Sequence, residues 1–437
     1  MNISLFKGIL IGVFVIAGLL GLYVFATYSS TGGAGAVGTV VVWGTLPSAS
    51  ISSGFLASTK IDPVLKSVSY VQKSAATLPS ELSAAIATGA APDLVLASQE
   101  ELTSLVPFLA PIPLATLSVR SFTSTFAGEG ALFTAPNGAG YYGVPVLIDP
   151  MVLFYNRTIL ASTGVPVPPG TWEALTGLVP RVAVLTSSRQ ITRGLIALGT
   201  YDNVHDARGI LSTLFLQTNV PLSSRSASSG LIGANLGLTS TGSGLPPGQS
   251  VVRFYTQFAD PSKISYTWNA SLPDSLSAFQ TADLALYLGF VSEARYLKAA
   301  NPNLDFDVAP APQPATATSK TTYGLTYALM IPKGAKNPTG AYAAAALFTG
   351  VPEQLALASA TGLAPASVSA LAAQVPADPV AAVASASALY ARGWLSPLPA
   401  DTDVVFSAMI GNVITGRSIL DAALATAERS LGALLQR

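Results

Sequence analysis

The chain has 437 residues, half of them hydrophobic and only 10% charged, and its 22 basic residues balance its 22 acidic ones. That length exceeds one ordinary core and suggests two or three domains, while the absence of any Lys or Arg run removes the electrostatic footprint of a nucleic-acid binder. Cysteine is absent, which excludes disulfides, thiolate metal sites, a cysteine nucleophile and a lipid-modified N-terminal cysteine.

Gly8 to Tyr28 carries no charge. As a helix these residues would cover roughly 31 Å, the thickness of a bilayer core. Lys7 precedes the stretch and no other basic residue follows until Lys60, so the positive-inside rule places the N-terminus in the cytoplasm and the body outside. A single-pass anchor is therefore expected over residues 1–28. The rival is a cleaved signal peptide, for which Val24-Phe25-Ala26 supplies a small-residue site; the apolar stretch is longer than a signal core requires. Residues 29–38, rich in Gly, Ser and Ala, read as a flexible tether.

Thr39 to Trp43 is a β-branched run closed by Gly44 and Pro47, the pattern of a buried first strand. Glu81 to Thr88 has helical spacing and stops at Gly89; Pro92-Asp93 then leads into a second short strand at Leu94-Val95-Leu96. Strand, helix, strand implies parallel pairing. Tyr142 to Asn156 holds two extended runs, expected to break at Asp149-Pro150 and to cross between lobes. Pro168-Pro169-Gly170 turns the chain, with Thr171 as N-cap of a helix that starts at the structural Trp172. Asp206 to Thr218 reads as a helix, and Pro221 to Ser250 as an excursion of loops. Helices are expected at Val251 to Phe258, Leu272 to Gln280 and Thr339 to Phe348, and strands at Ala282 to Gly289, Asp305 to Ala309 and Thr322 to Ile331. From Pro352 onward the pattern is helical, broken at Gly362 to Pro365 and Trp394 to Pro399, and is expected to wrap one lobe.

Catalytic chemistry finds little to use. His205 is the chain's one histidine, too few for a histidine metal centre, and reads as a solvated or capping residue at a helix start rather than a triad base. No P-loop or strand-linked GxGxxG is present. Glu100-Glu101 are adjacent and would point apart on a helix, so they make no glycosidase pair by themselves. A Ser-Lys or two-carboxylate enzyme stays open as an alternative. No catalytic residue, metal ligand or cofactor is expected. Aromatic platforms combined with planar polar groups suit a sugar, and Trp43, Asp93, Tyr141, Asp149, Tyr201, Trp268, Tyr287, Tyr323 and Trp394 all fall at or near breaks between strands and loops. Each taken singly is more often a packing residue; the set is the candidate ligand site. Tyr141-Tyr142 are adjacent and point to opposite sides of an extended segment, which argues against a tyrosine-chelated ferric ion.

Several stretches together resemble the family-1 extracellular solute-binding proteins. The clearest is YGVPVLIDPMVLFYNRTILASTGVPVPPGTWEAL from Tyr142, followed by VVVWG at Val40, ATGAAPDLVLAS at Ala87, FQTADLALYLG at Phe279 and YGLTYALMIPKGAKNPTGAYAAAALFTG at Tyr323. Thr281-Ala282 departs from the Gly-Lys that relatives carry. The resemblance implies an α/β, two-lobed periplasmic-binding-protein-like fold with a hinge and central cleft, beside the N-terminal transmembrane helix. It places residues 39–148 with 331–350 in one lobe and 149–330 with 351–437 in the other. It further implies capture of a small ligand, a mono- or oligosaccharide, and delivery to the permease subunits of an ABC transporter, with Trp43, Asp93, Tyr141, Asp149, Tyr287 and Tyr323 the stronger binding residues and Trp268 and Trp394 the weaker. Two alternatives are an anchored glycan hydrolase and a scaffold or adhesion protein that keeps the fold without a ligand.

Overall fold

The computed structural model describes residues 37–226, 230–240, 244–373 and 376–436. The expected anchor and most of the tether lie outside these; among the described residues no helix is long and apolar enough to cross a membrane.

Thirteen strands are numbered in chain order: β1 (Val40–Gly44), β2 (Val68–Gln72), β3 (Leu94–Ser98), β4 (Gly143–Asn156), β5 (Val184–Leu185), β6 (Ile191–Ile196), β7 (Leu222–Arg225), β8 (Ile232–Asn235), β9 (Leu284–Phe290), β10 (Phe306–Pro310), β11 (Thr322–Met330), β12 (Ala364–Pro365) and β13 (Ala391–Arg392). The principal sheet runs β2-β1-β3-β11-β4-β9-β6-β5, with β10 and β12 added on β4 and β13 on β11. β1, β2 and β3 are parallel, as the intervening helices Ser48–Ile61 and Leu78–Ala87 require of crossovers.

Two strands join the lobes. β4 is buried along its whole length; its first part pairs with β11 and its second with β9 and β10. The break expected at Asp149-Pro150 is absent, and the strand continues through it. The reason is the change of partner. Pro150 is the last β4 residue paired with β11, opposite Gly324, and Met151 is the first paired with β9, opposite Phe290, so the missing N–H falls where the ladder changes hands. A register shift between Tyr327 and Ala328, facing Leu147 and Pro145, kinks the same pair on the first-lobe side. β11 likewise serves both lobes, pairing through Tyr327–Met330 with β3 and through Thr322–Tyr323 with β13.

The first lobe is built on β2, β1, β3 and the adjoining parts of β11 and β4; the second on the far part of β4 with β9, β6, β5 and β10. The tail does not all go to the second lobe. Helix Val351–Thr361 lies against helix Ser48–Ile61, where the Gly54 Cα would bring an added Cβ within 2.8 Å of Leu357, so this small-residue face belongs to the first lobe. Only from helix Pro379–Ala388, packed on β4 and β10, does the chain serve the second lobe. Within 221–250, expected as loops, the described residues include the antiparallel pair β7–β8, flanked by the buried Leu222 and Leu236, and the start of helix Pro247–Thr256.

Local signals behave as their chemistry dictates. Thr171 caps the helix at Trp172, and the indole Nε1 of that buried tryptophan donates to Gln217 Oε1 at 2.7 Å. Asp274 caps Ser275–Gln280, and Ser98 with Glu101 forms a capping box on Gln99–Leu105. Ala282 holds a φ of 63°, a left-handed conformation that favours glycine.

Candidate functional site

In each lobe the parallel strands end toward the other lobe. β3 runs out at Ser98 and delivers Gln99 and Glu100; β6 runs out at Ile196 into the loop 197–206, and β9 at Phe290 into Val291-Ser292-Glu293. The cleft lies between these ends, with β4 and β11 as its floor.

One polar group spans the cleft. The Arg208 guanidinium, in the first turn of helix Ala207–Gln217, donates through Nη2 and Nε to Glu100 at 2.9 and 3.2 Å, and through Nη1 to Asp403 Oδ2 at 3.0 Å. Tyr323 OH donates to Glu100 Oε1 at 2.6 Å, and Tyr201 OH to Asp403 Oδ1 at 2.6 Å. Burial works against the Arg208 charge, but Glu100, Tyr323 and Asp403 around it more than offset this and hold it firmly protonated. Burial, then the neighbouring Glu100, pushes Tyr323 well up. Gln99 ties the first lobe to the hinge, donating to Gly324 O and accepting from Thr326 N.

A second group lies on the second-lobe side of the floor. Glu293 Oε2 accepts from Tyr287 OH at 2.5 Å, while Oε1 stands 3.7 Å from His205 Nε2. The other imidazole nitrogen, Nδ1, faces Asp274 Oδ2 at 3.8 Å. Asp149 Oδ1 accepts from Ser292 N at 3.1 Å; burial pushes its carboxyl up to about 7 against the lowering effect of that bond. Glu293 is driven well above the usual carboxylate range by burial and then by Asp206. Tyr327, on the hinge strand, lies within electrostatic reach of Asp149, Glu101 and Glu100.

The nine residues selected from sequence divide accordingly. Asp149, Tyr287, Tyr323 and Tyr201 come together in these two groups. Trp394 lies in the segment after β13 that runs between the lobes: Ser396 O accepts from Thr103 of the first, and the indole Nε1 donates to Ser212 Oγ of the second. At 2% exposure it is packed rather than open. Trp43 is the next-to-last residue of β1, beneath Lys73, whose ammonium sits 4.0 Å from the ring centroid. Asp93 falls at the opposite end of β3, where its carboxylate accepts from Val41 N and Asn337 N. Tyr141 is buried outside the cleft, stacked on Phe122 at 3.7 Å. Trp268 is buried against Gly194 in the second-lobe core.

Sequence reasoning weighed Glu100 only as half of an adjacent acid pair and passed over Arg208 and Asp403. Arg208 left a signal: a cation in the first turn of a helix opposes the dipole and needs a compensating acid. Glu100 and Glu101 do point apart, since Glu101 turns back to accept from Ser98 N and Oγ while Glu100 reaches across the cleft. Two cavities of about 470 Å³ flank the groups. One is lined by Leu132 and Thr134 of the first lobe, Ser223 and Arg225 of the second, and Arg392 and Trp394 between them; the other by Tyr201, Asn203, Ser407 and Arg417.

Residues 64–384 match the sequence model of a family described as bacterial extracellular solute-binding protein. No curated protein sequence matches the chain. Among solved structures, the cyclic alpha-maltosyl-1,6-maltose binding protein from Arthrobacter globiformis superposes with a TM-score of 0.74 at 17% identity, over 91% of this chain and 99% of that one. A cyclo/maltodextrin-binding protein complexed with maltotetraose gives 0.71 at 17% identity, over 91% and 97%. The Thermus thermophilus maltotriose binding protein gives 0.61 at 18%, over 90% and 99%. At these identities the likeness establishes the fold.

Proposed function

Because the chain belongs to the bacterial extracellular solute-binding protein family, we propose that it captures a hydroxyl-rich small molecule, a mono- or oligosaccharide, between its lobes and hands it to the permease of an ABC transporter. The observation that carries this reading is the pairing of two continuous strands, β4 and β11, with a cleft whose facing strand ends present carboxylates, tyrosines and one arginine. Such groups bond sugar hydroxyls two at a time, carboxylates accepting and Arg208 donating. Glu100, Arg208, Asp149, Tyr323 and Tyr201 are the residues assigned to ligand, with Trp394 the apolar wall beside them. Trp43 stands at the first-lobe rim.

Binding exchanges contacts rather than simply adding them. The Glu100–Arg208 pair joins the two sides of the cleft, so a sugar seated there must offer both groups equivalent hydrogen bonds. Residues 8–28 would tether the body to the membrane that holds the permease, with 29–38 as the leash. No step of covalent chemistry is assigned to the acids. Their role is to accept hydrogen bonds.

The test is a thermal-shift and calorimetric screen against mono- and oligosaccharides, polyamines, phosphate esters and ferric iron. A saccharide at 100 times its Kd adds about 2.7 kcal/mol of stability, and Tyr323→Phe and Glu100→Gln should each weaken its binding by at least tenfold. A shift produced only by a polyamine or an anion would replace the carbohydrate assignment. Hydrolysis of an oligosaccharide on incubation would replace the binding role.

A further inference from the structure

Beside the sugar-facing residues stands a cluster that hydrogen bonding to a sugar does not require. We propose that His205, Asp206 and Glu293 form a site for a divalent cation of the borderline class, zinc ahead of calcium or magnesium, on the second-lobe side of the cleft floor. Each residue offers one ligand atom, and these atoms all lie within 4.8 Å of one another. Metal–nitrogen and metal–oxygen distances of about 2.0–2.2 Å put two ligands of a tetrahedral ion roughly 3.4 Å apart. Side-chain movements of about an ångström therefore complete the set.

Three independent features favour an ion over a chance meeting of acids. Asp206 Oδ2 is shielded from solvent and has no hydrogen-bond partner among the described residues. Its neighbour is the Glu293 carboxyl, and the two acids can meet only across a shared proton or a cation. The imidazole stands between two carboxylates, Nε2 3.7 Å from Glu293 Oε1 and Nδ1 3.8 Å from Asp274 Oδ2, so a small movement gives Nδ1 the outer carboxylate that orients a ligating histidine. Glu293 is held in the same manner by Tyr287 OH on its second oxygen. The charge is also unbalanced. Asp206 and Glu293 adjoin each other, Asp149 and Asp274 lie close by, and Arg208, two residues on, is committed to Glu100 and Asp403.

Nitrogen from imidazole together with carboxylate oxygen is a donor set for zinc or manganese, whereas calcium and magnesium prefer oxygen throughout. The ion would join the end of the loop after β6 to Glu293 beyond β9, whereas His205 N itself donates to Ser275 Oγ in the helix that precedes β9. It would stiffen the floor on which a ligand rests. Nothing in this site requires that the ligand be a sugar.

The experiment uses the full chain, freed of metal with EDTA and without saccharide. Calorimetry and elemental analysis after dialysis are run with Zn²⁺, Mn²⁺, Ca²⁺ and Mg²⁺. The expected result is one Zn²⁺ per chain with a raised Tm, an affinity at least tenfold above that for Ca²⁺, and at least a hundredfold loss in both His205→Ala and Asp206→Asn. Asp274→Asn, which removes only the orienting carboxylate, should weaken binding by about tenfold or more. Cobalt substitution adds a visible-region band that shifts in His205→Ala. Sub-stoichiometric binding, or binding unchanged in Asp206→Asn and Asp274→Asn with their metal-free melting intact, overturns the proposal. Because no sugar is present, either result leaves the carbohydrate reading to its own test.

Discussion

Replacing Arg208 by methionine removes a cation that bridges the lobes through Glu100 and keeps most of the apolar stem. The Arg208 and Glu100 side chains are only 18% and 6% exposed, so the substitution strands a carboxylate that retains one hydrogen bond, from Tyr323. Breaking a buried pair from one side costs about 3–5 kcal/mol. For some 400 ordered residues, an unfolding entropy of about 2.1 cal/mol/K each converts that to a Tm lowered by roughly 4–6 °C. The double variant Glu100→Gln/Arg208→Met should recover much of the loss, since no charge is then left buried. Differential scanning calorimetry of the wild type, both singles and the double closes the thermodynamic cycle. Repeating it in 1 M NaCl separates a buried pair, whose loss persists, from an exposed one, whose loss fades. A cost below about 1 kcal/mol for Arg208→Met with no coupling to Glu100 would refute the reasoning, because it would mean that the lobes stand apart in solution and the pair forms only when they meet.

Three further outcomes follow from single residues. Asp93→Ala leaves Val41 N and Asn337 N without their shared acceptor and should lower stability by about 3 kcal/mol in denaturant titrations, while ligand affinity stays within twofold because the residue sits at the far end of β3. Ala282→Gly relieves a φ of 63° and should raise stability by about 1 kcal/mol, seen as a small rise in Tm. Burial pushes the Glu129 carboxyl up to about 8 despite Arg392 at 3.7 Å. The folded state therefore keeps a proton that the unfolded chain releases above about pH 4.5, so this group's contribution is most favourable below that pH and is lost as pH rises toward 8, by at most about 5 kcal/mol. Glu129→Gln should flatten that part of the Tm–pH curve; an unchanged slope would mean the carboxyl is already ionised in the folded protein.

The alternation of strand and helix was legible because it is written in runs of β-branched residues stopped by glycine and proline, as at Thr39 to Gly44 and Pro92 to Leu96. Proline misled at Pro150. Its local preference for a break was overridden because a sheet tolerates a missing donor where one partner strand hands over to the next. The helix Ser48–Ile61 escaped notice since its serines and glycines dilute the apolar stripe; those small residues instead allow close approach to Val351–Thr361. At the site, proximity to a break picked out Asp149, Tyr287 and Tyr323, which lie in the cleft groups, but could not tell one end of a strand from the other, which is how it also picked Asp93, at the far end of β3. Arg208 and Asp403 lie far apart in the chain and meet only through tertiary structure, so no spacing rule reaches them.

The shared strands also dictate when the protein can fold. The strand order interleaves early and late segments: Ser98 of β3 has no edge partner until Tyr327 of β11 arrives, and the second half of β4 waits for β9. A chain emerging N-terminus first cannot complete the first lobe's part of the sheet until it has been made past Met330, although the second lobe's strands β4, β5, β6, β9 and β10 are all present by Pro310. Until then the β3 edge stays open, which makes completion of the first lobe a late event dominated by long-range pairing. A stop after β10 would therefore leave no free-standing first lobe behind.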